Sequence, residues 1–264
     1  MKLFDSHCHI DDKIFDPDFA QVLQRARNAG VQGMMIAGIT LKTAEKAVPL
    51  AASNHGLFAA VGVHPHDAAS CSETVIHRLQ MLAGNPKVKA WGEIGLDFNR
   101  MFSPQEVQEK WFVRQLETAD ELQLPLIFHE RESHGRLLSF LQETHTQNRT
   151  GVVHCFSGSR KELEAYLELG YYIGITGILT IQTRGTDLRK LVRHIPLDRL
   201  LIETDAPYLT PAPEKNKTHR NEPAFVRSTF EKLAETLNEP PEKLSEILWG
   251  NTCRLFKVHP HELD

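Results

Sequence analysis

The sequence predicts an α/β protein folded as a (β/α)8 TIM barrel, and three observations lead there. Short apolar, β-rich runs alternate with longer amphipathic ones through eight units. No G-x-G-x-x-G follows the first of those runs, which counts against the runner-up, an open doubly wound sheet. No linker or low-complexity tract interrupts the pattern, so residues 1–264 read as a single domain.

The predicted strands are 3–10, 33–39, 58–64, 88–95, 126–130, 151–156, 172–175 and 200–204. Between them, Phe19, Val22, Leu23 and Ala26 repeat at the spacing of one helix face. Ser103-Pro104-Gln105-Glu106 reads as a cap, a first-turn proline and a capping-box glutamate opening a helix to about residue 123. Ser159 and Glu162 repeat the device, and Gly170 supplies a left-handed stop. Two more helices, from Pro223 and from about Glu242, close the chain. The loop 211–221, PAPEKNKTHRN, is the one stretch rich in polar and turn residues.

The composition, 41% apolar and 24% charged, is that of an ordinary globular protein. No apolar run approaches the roughly 18–20 residues of a membrane span. Met1 leads directly into a strand rather than a signal segment, so a cytosolic location is expected. Four cysteines without a C-x-x-C pair argue against a disulfide framework or zinc ribbon. A net charge of −4 excludes a general polyanion binder, so any nucleic-acid contact needs a local basic patch.

Barrel enzymes carry their chemistry at the C-terminal ends of strands. Strand one ends in FDSHCHIDD, where alternation turns His7 and His9 to one side and Cys8 to the other. Taken alone, His-x-His is equally a polar strand end. The other strand ends decide: Glu93 on strand four, His129 on strand five, His154 on strand six and Asp205 after strand eight. Six nitrogen and oxygen donors exceed what one catalytic zinc takes and suit two metals sharing a carboxylate. The expected division gives His7, His9 and Asp205 to one ion, His129 and His154 to the other, with Glu93 bridging. Water between the ions would be the nucleophile, with Asp205 orienting it and accepting its proton. The donor set suits Zn²⁺, Mn²⁺ or Co²⁺, and Mg²⁺ less well.

FDSHCHID, AAVGVHPHD, GEIGLDFNR, HERES, VVHCFSGS, YYIGITG, LLIETDAPYL and HRNEPAFV stand in fixed order over nearly the whole chain. In these motifs the sequence resembles the TatD family of metal-dependent deoxyribonucleases, within the amidohydrolase superfamily. The resemblance implies a metal-dependent hydrolase barrel, phosphodiester hydrolysis, and 3′→5′ exonuclease action on single-stranded DNA, with RNA as a further substrate. Some TatD proteins proper lack the first-strand histidine pair, which this chain keeps as His7 and His9. Other expectations open at this stage are an amidohydrolase acting on a small ester, lactone or amide, and a metal-stapled scaffold.

A phosphodiester needs positive charge and hydrogen-bond donors. His64 and His66, in VHPHD, stand at the third strand's end, and the resemblance places His64 on the scissile phosphate. Pro65 alternatively sets only a turn. Arg131 fits a phosphate clamp, or else a salt bridge to Glu130 or Glu132. Ser157 and Gly158 offer hydroxyl and backbone donors. Lys215, Lys217, His219, Arg220 and Asn221 gather donors in the last loop, which is otherwise a solvated turn, and Arg184 is a weaker candidate. Glu203 reads as support for a ligand, and Cys8 and Cys155 as packing. Phe98, Phe102 and Tyr208 are candidates to stack on a terminal base. The chain is expected to act as a monomer on nucleic acid, away from membranes.

Overall fold

Each predicted apolar run forms a strand: β1 (Leu3–Cys8), β2 (Val31–Gly38), β3 (Leu57–Val61), β4 (Val88–Asp97), β5 (Leu126–Arg131), β6 (Gly151–Val153), β7 (Tyr172–Ile175) and β8 (Leu200–Ile202). They make one sheet in the order β1-β2-β3-β4-β5-β6-β7-β8, the sequential order of a (β/α)8 barrel. The computed structural model describes residues 1–144 and 146–263. The helices are α1 (Phe19–Asn28), α2 (Leu41–Ser53), α3 (Glu73–Ala83), α4 (Gln105–Leu122), α5 (Arg136–Glu143), α6 (Arg160–Glu168), α7 (Thr186–Leu191), α8 (Val226–Leu237) and α9 (Pro241–Leu255). No helix among the described residues is long and apolar enough to cross a membrane.

The chain forms two compact units. The first holds Met1–Ile36, His55–Leu57 and the stretch from Ile173 onward. In it β1 pairs in parallel with β2, and β7 with β8. Past the end of β8, the Asp205 N–H donates to His7 O at 2.9 Å and the His9 N–H to Ala206 O at 2.7 Å. The last strand's continuation therefore lies beside the first strand's, which brings residues 7, 9 and 205 together. Gly174 leaves room for the buried Glu203 carboxylate, which a Cβ at that position would meet at 2.6 Å.

The second unit holds Ala37–Asn54 and Phe58–Tyr172. Here β3, β4, β5 and β6 pair in parallel succession. Its core includes Trp91, Phe112 and Phe128, each nearly fully buried, and each such side chain contributes roughly 1.5–3 kcal/mol. Two buried glutamines of α4, Gln108 and Gln115, grip the neighbouring strand ends. Gln115 accepts from Val63 N at 2.8 Å and donates to Val63 O at 3.0 Å. Gln108 does the same for Asp97, at 2.9 and 3.0 Å. Burying an amide is tolerable only when its hydrogen bonds are made, so these clamps fix where β3 and β4 deliver their residues.

Strand ends differ from expectation. β6 stops at Val153, so His154 and Cys155 follow it, and Cys155 takes φ 47°. Face alternation does not govern Cys155. Cys8 does lie in β1, buried, with its thiol donating to Met35 O at 3.4 Å. β4 runs on to Asp97, two residues beyond the predicted end. Ser103 does not cap α4, whose N-cap position is Pro104. Its hydroxyl accepts from Ala69 N and donates to His66 O, both at 2.9 Å, tying down the His64–His66 segment. The Ser159–Glu162 capping box and the left-handed Gly170 form as expected.

Candidate metal centre

The first unit contributes His7, His9 and Asp205. Their donor atoms stand close: His7 Nε2 to His9 Nε2 3.3 Å, His9 Nε2 to Asp205 Oδ1 3.3 Å, and His7 Nε2 to Asp205 Oδ1 3.7 Å. A tetrahedral cation with bonds of about 2.0–2.1 Å keeps its donors roughly 3.3–3.4 Å apart. The three residues fit such an ion. Asp205 reaches this position through a left-handed backbone, φ 59°, unusual outside glycine and favoured by Asp among the exceptions.

Beneath His7 lies Asp5, fully buried. Its carboxylate accepts from Thr204 N at 2.8 Å and His7 N at 3.4 Å, and pairs with Thr204 Oγ1 at 2.6 Å. Burial pushes this carboxyl up to about 8 in spite of those hydrogen bonds, and the nearby Glu203 charge adds to the rise. Glu203 is buried and accepts from the Ser6 hydroxyl at 3.2 Å.

The second unit contributes Glu93, His129 and His154, with His64, His66 and Asp97 around them. Glu93 Oε1 is the hub: His129 Nδ1 lies at 2.6 Å, His64 Nε2 at 3.5 Å and His154 Nε2 at 3.9 Å. Asp97 Oδ2 takes His66 Nε2 at 2.6 Å and His129 Nε2 at 3.3 Å. Its Oδ1 accepts from Asn99 N and Arg100 N at 3.0 and 2.8 Å. Gly95 makes this crowding possible. A Cβ there would collide with the His129 carbonyl, and its φ of 150° is open to glycine alone.

Burial opposes charge on His129, yet hydrogen bonds to Asp97 and Glu93 outweigh it and raise its pKa to about 9. His64 goes the other way: burial, and then the His129 charge, push it down to about 4. Burial would raise Asp97, but bonds from His129, the Arg100 amide and His66 hold it well below the usual carboxylate range. One nitrogen from each of His64, His66 and His129 falls within 4.8 Å of the others. The donors of both units are of the kinds that hold a divalent cation.

The remaining predicted contacts sort differently. His64 caps the short turn after Pro65, its Nδ1 accepting from His66 N at 3.0 Å, so the expected turn forms and His64 helps to set it. Arg131 is exposed and forms no ion pair among the described residues. Glu130 is bonded to Ser133 and Glu132 to Asn99 instead. Ser157, Lys215, Lys217, His219 and Arg184 are exposed. Arg220 is bound to Asp18 at 2.7 and 2.8 Å. Asn221 is buried and donates to Thr204 O and Tyr208 O at 2.9 and 2.6 Å, so it holds the loop after β8. Asp97, Asp5 and the two α4 glutamines are absent from the sequence-based site. For Asp97 a signal existed: counting by twos from Glu93 through Gly95 reaches it.

The profile of the TatD-related DNase family matches residues 4–257. The chain belongs to that family. Membership makes it a nuclease, a hydrolase of phosphodiester bonds. A curated relative from Rahnella sp. (strain Y9602), the 3′-5′ ssDNA/RNA exonuclease TatD, is 42% identical over 259 residues, covering 97% of this chain and 98% of the relative. Among solved structures, the TatD homologue YjjV from Escherichia coli K12 superposes with a TM-score of 0.89 at 33% identity, over 97% of this chain and 98% of that one. A TatD-family hydrolase from Entamoeba histolytica gives 0.87 at 26% identity, over 97% and 98%. The TatD fold is thus shared along essentially the full length of the chain.

Proposed function

We propose that this protein is a metal-dependent exonuclease that removes nucleotides from the 3′ end of single-stranded DNA, and of RNA, as a single-domain monomer in the cytosol. Curated relatives carry that activity in their names, and the family profile runs unbroken through both compact units. The observation that carries the metal dependence is the spacing of His7, His9 and Asp205, donors 3.3 to 3.7 Å apart.

In this reading two divalent cations would be held, one by His7, His9 and Asp205, the other by Glu93, His129 and His154. Zn²⁺, Mn²⁺, Co²⁺ and Mg²⁺ are the candidates. When bound, such ions lower the pKa of water and neutralise developing charge on phosphate. The chain's own residues do the rest. Asp205 orients the attacking water and accepts its proton. His64, kept neutral by burial, donates from Nε2 to a phosphate oxygen. Arg131, exposed and without an ion pair among the described residues, would clamp a phosphate, and Ser157 would add a hydroxyl donor. His66 borders the substrate while anchored on Asp97. Arg220 and Asn221 contribute by holding the loop after β8 against Asp18, Thr204 and Tyr208.

The test is digestion of single strands labelled at either end, with each cation in turn and after chelation. Mononucleotide release from the 3′ end, lost on chelation and restored by a divalent ion, is the expected result. Release that survives complete metal removal, or none with any cation, sinks the reading.

A further inference from the structure

The hydrogen bonds around Asp97 decide which nitrogen of His129 can hold a cation. Asp97 is completely buried and makes four contacts, two per oxygen. Oδ1 accepts from the Asn99 and Arg100 amides. Oδ2 faces the Nε2 atoms of His66 and His129, at 2.6 and 3.3 Å. An ionised carboxylate only accepts, so both imidazoles must carry their proton on Nε2. For His129 that makes Nδ1 the nitrogen able to give up its proton and open a lone pair to a cation; with no cation bound, that proton is shared with Glu93 Oε1 at 2.6 Å. His64 has the reverse duty. Its Nδ1 already accepts from the His66 amide, so in neutral form its proton sits on Nε2, the atom facing Glu93 at 3.5 Å. Hydrogen-bond bookkeeping thus separates a ligand from a donor among neighbouring histidines.

We infer that Asp97 is a positioning residue that fixes the tautomer of His129, so that Nδ1 is free to join Glu93 in ligating a cation, while His66 is locked by the same oxygen. This rests on the metal-dependent reading above and deepens it. Carboxylates that hold ligating histidines in this way typically account for roughly 10–100-fold in metal affinity. A merely structural Asp97 would hold only the 98–104 loop through Oδ1, and the two roles come apart by substitution. Asp97→Asn can keep an oxygen on the Asn99 and Arg100 amides. It then presents an NH2 group where Oδ2 was, forcing His129 to accept at Nε2 and carry its proton on Nδ1, facing Glu93. Asp97→Ala removes the carboxylate without imposing a tautomer.

The experiment is Mn²⁺ titration of the full-length wild type, Asp97→Asn and Asp97→Ala by calorimetry and electron paramagnetic resonance. Nitrogen-15 histidine spectra of the Zn²⁺-loaded wild type accompany it. The expected result is one of two wild-type sites weakened by roughly 10–100-fold in Asp97→Asn, and less in Asp97→Ala, with His129 protonated on Nε2 in the wild type. Unchanged affinities in Asp97→Asn, or a larger loss in Asp97→Ala, overturn the inference while leaving the metal-dependent reading standing. A wild type that binds no Mn²⁺ removes that reading and the inference with it. If Asp97→Asn fails to fold, the wild-type spectrum still decides, because a Zn²⁺-loaded His129 protonated on Nδ1 contradicts the assignment.

Discussion

The two donor sets differ in what fills the space between their atoms. In the first unit, His7, His9 and Asp205 stand 3.3 to 3.7 Å apart, the span of ligands around an ion. In the second, Glu93 and Asp97 approach His129 and His66 to 2.6 Å, the span of a shared proton. The first set has the spacing of ligands around an ion; the second is tight enough to be held by a proton when no cation is present. His129, raised to about 9, is the group that takes that proton. A metal entering the second set must displace it, so affinity there should climb with pH up to about 9.

Removing one carboxylate from each set is the largest perturbation. Asp205→Asn in the first and Glu93→Gln in the second should each lower kcat by roughly 10³-fold or more, because a poor donor replaces an ionised ligand and a proton acceptor. Thermal unfolding should show the fold retained. The discriminating measurement is 3′-nucleotide release at saturating Mn²⁺. A variant keeping more than a tenth of wild-type kcat excludes its set from the chemistry.

A smaller effect separates the sets through pH in metal-free protein. Asp5, under His7, is raised from 3.8 to about 8, so its contribution to stability is full below 3.8 and is lost as pH rises through 8. His129 contributes fully below 6.5 and loses its contribution as pH rises through about 9. Urea unfolding of chelated wild type should therefore show stability falling from mildly acidic pH to about 9. Asp5→Asn retains an acceptor for the Thr204 amide and stays neutral throughout. It should flatten the decline between pH 3.8 and 6.5, make it shallower between 6.5 and about 8, and leave the His129 part up to about 9 in place. An unaltered curve would mean that Asp5 is already ionised in the folded chain.

The same contrast marks what the sequence could reveal. Strand–helix alternation carries the barrel order because a parallel sheet buries both faces and spells each strand as an apolar run. His7, Glu93, His129 and His154 stand out in the sequence because an ionisable residue closing such a run has few structural reasons to be there. Asp97 is hidden because Gly95 reads as the end of β4, a glycine normally weakening a strand; here it admits the His129 carbonyl instead. Gln108 and Gln115 were invisible for another reason. Glutamine on a helix reads as solvent-facing, and only the paired backbone groups of Asp97 and Val63 make its burial tolerable. The Asp18 partner of Arg220 is not legible in the sequence because it lies some two hundred positions away in the chain.

Exposed aromatic rings offer the finest comparison, since each set has one beside it. Phe102, 65% exposed, stands edge-on to His66 with centroids 4.9 Å apart, and Tyr208, 56% exposed, lies 5.9 Å from His9. A nucleobase stacked on such a ring contributes about 1–3 kcal/mol. Phe102→Ala should therefore raise KM for a single strand by roughly 5- to 100-fold with kcat little changed, and Phe102→Trp should restore it. Tyr208→Ala should do less, because Tyr208 is more covered and its backbone is already tied to Asp205 O at 2.8 Å. The order of the two effects reports which set the terminal base leans on. If Tyr208→Ala is the costlier change, the base rests over the first set and Phe102 serves only to shield His66 from water.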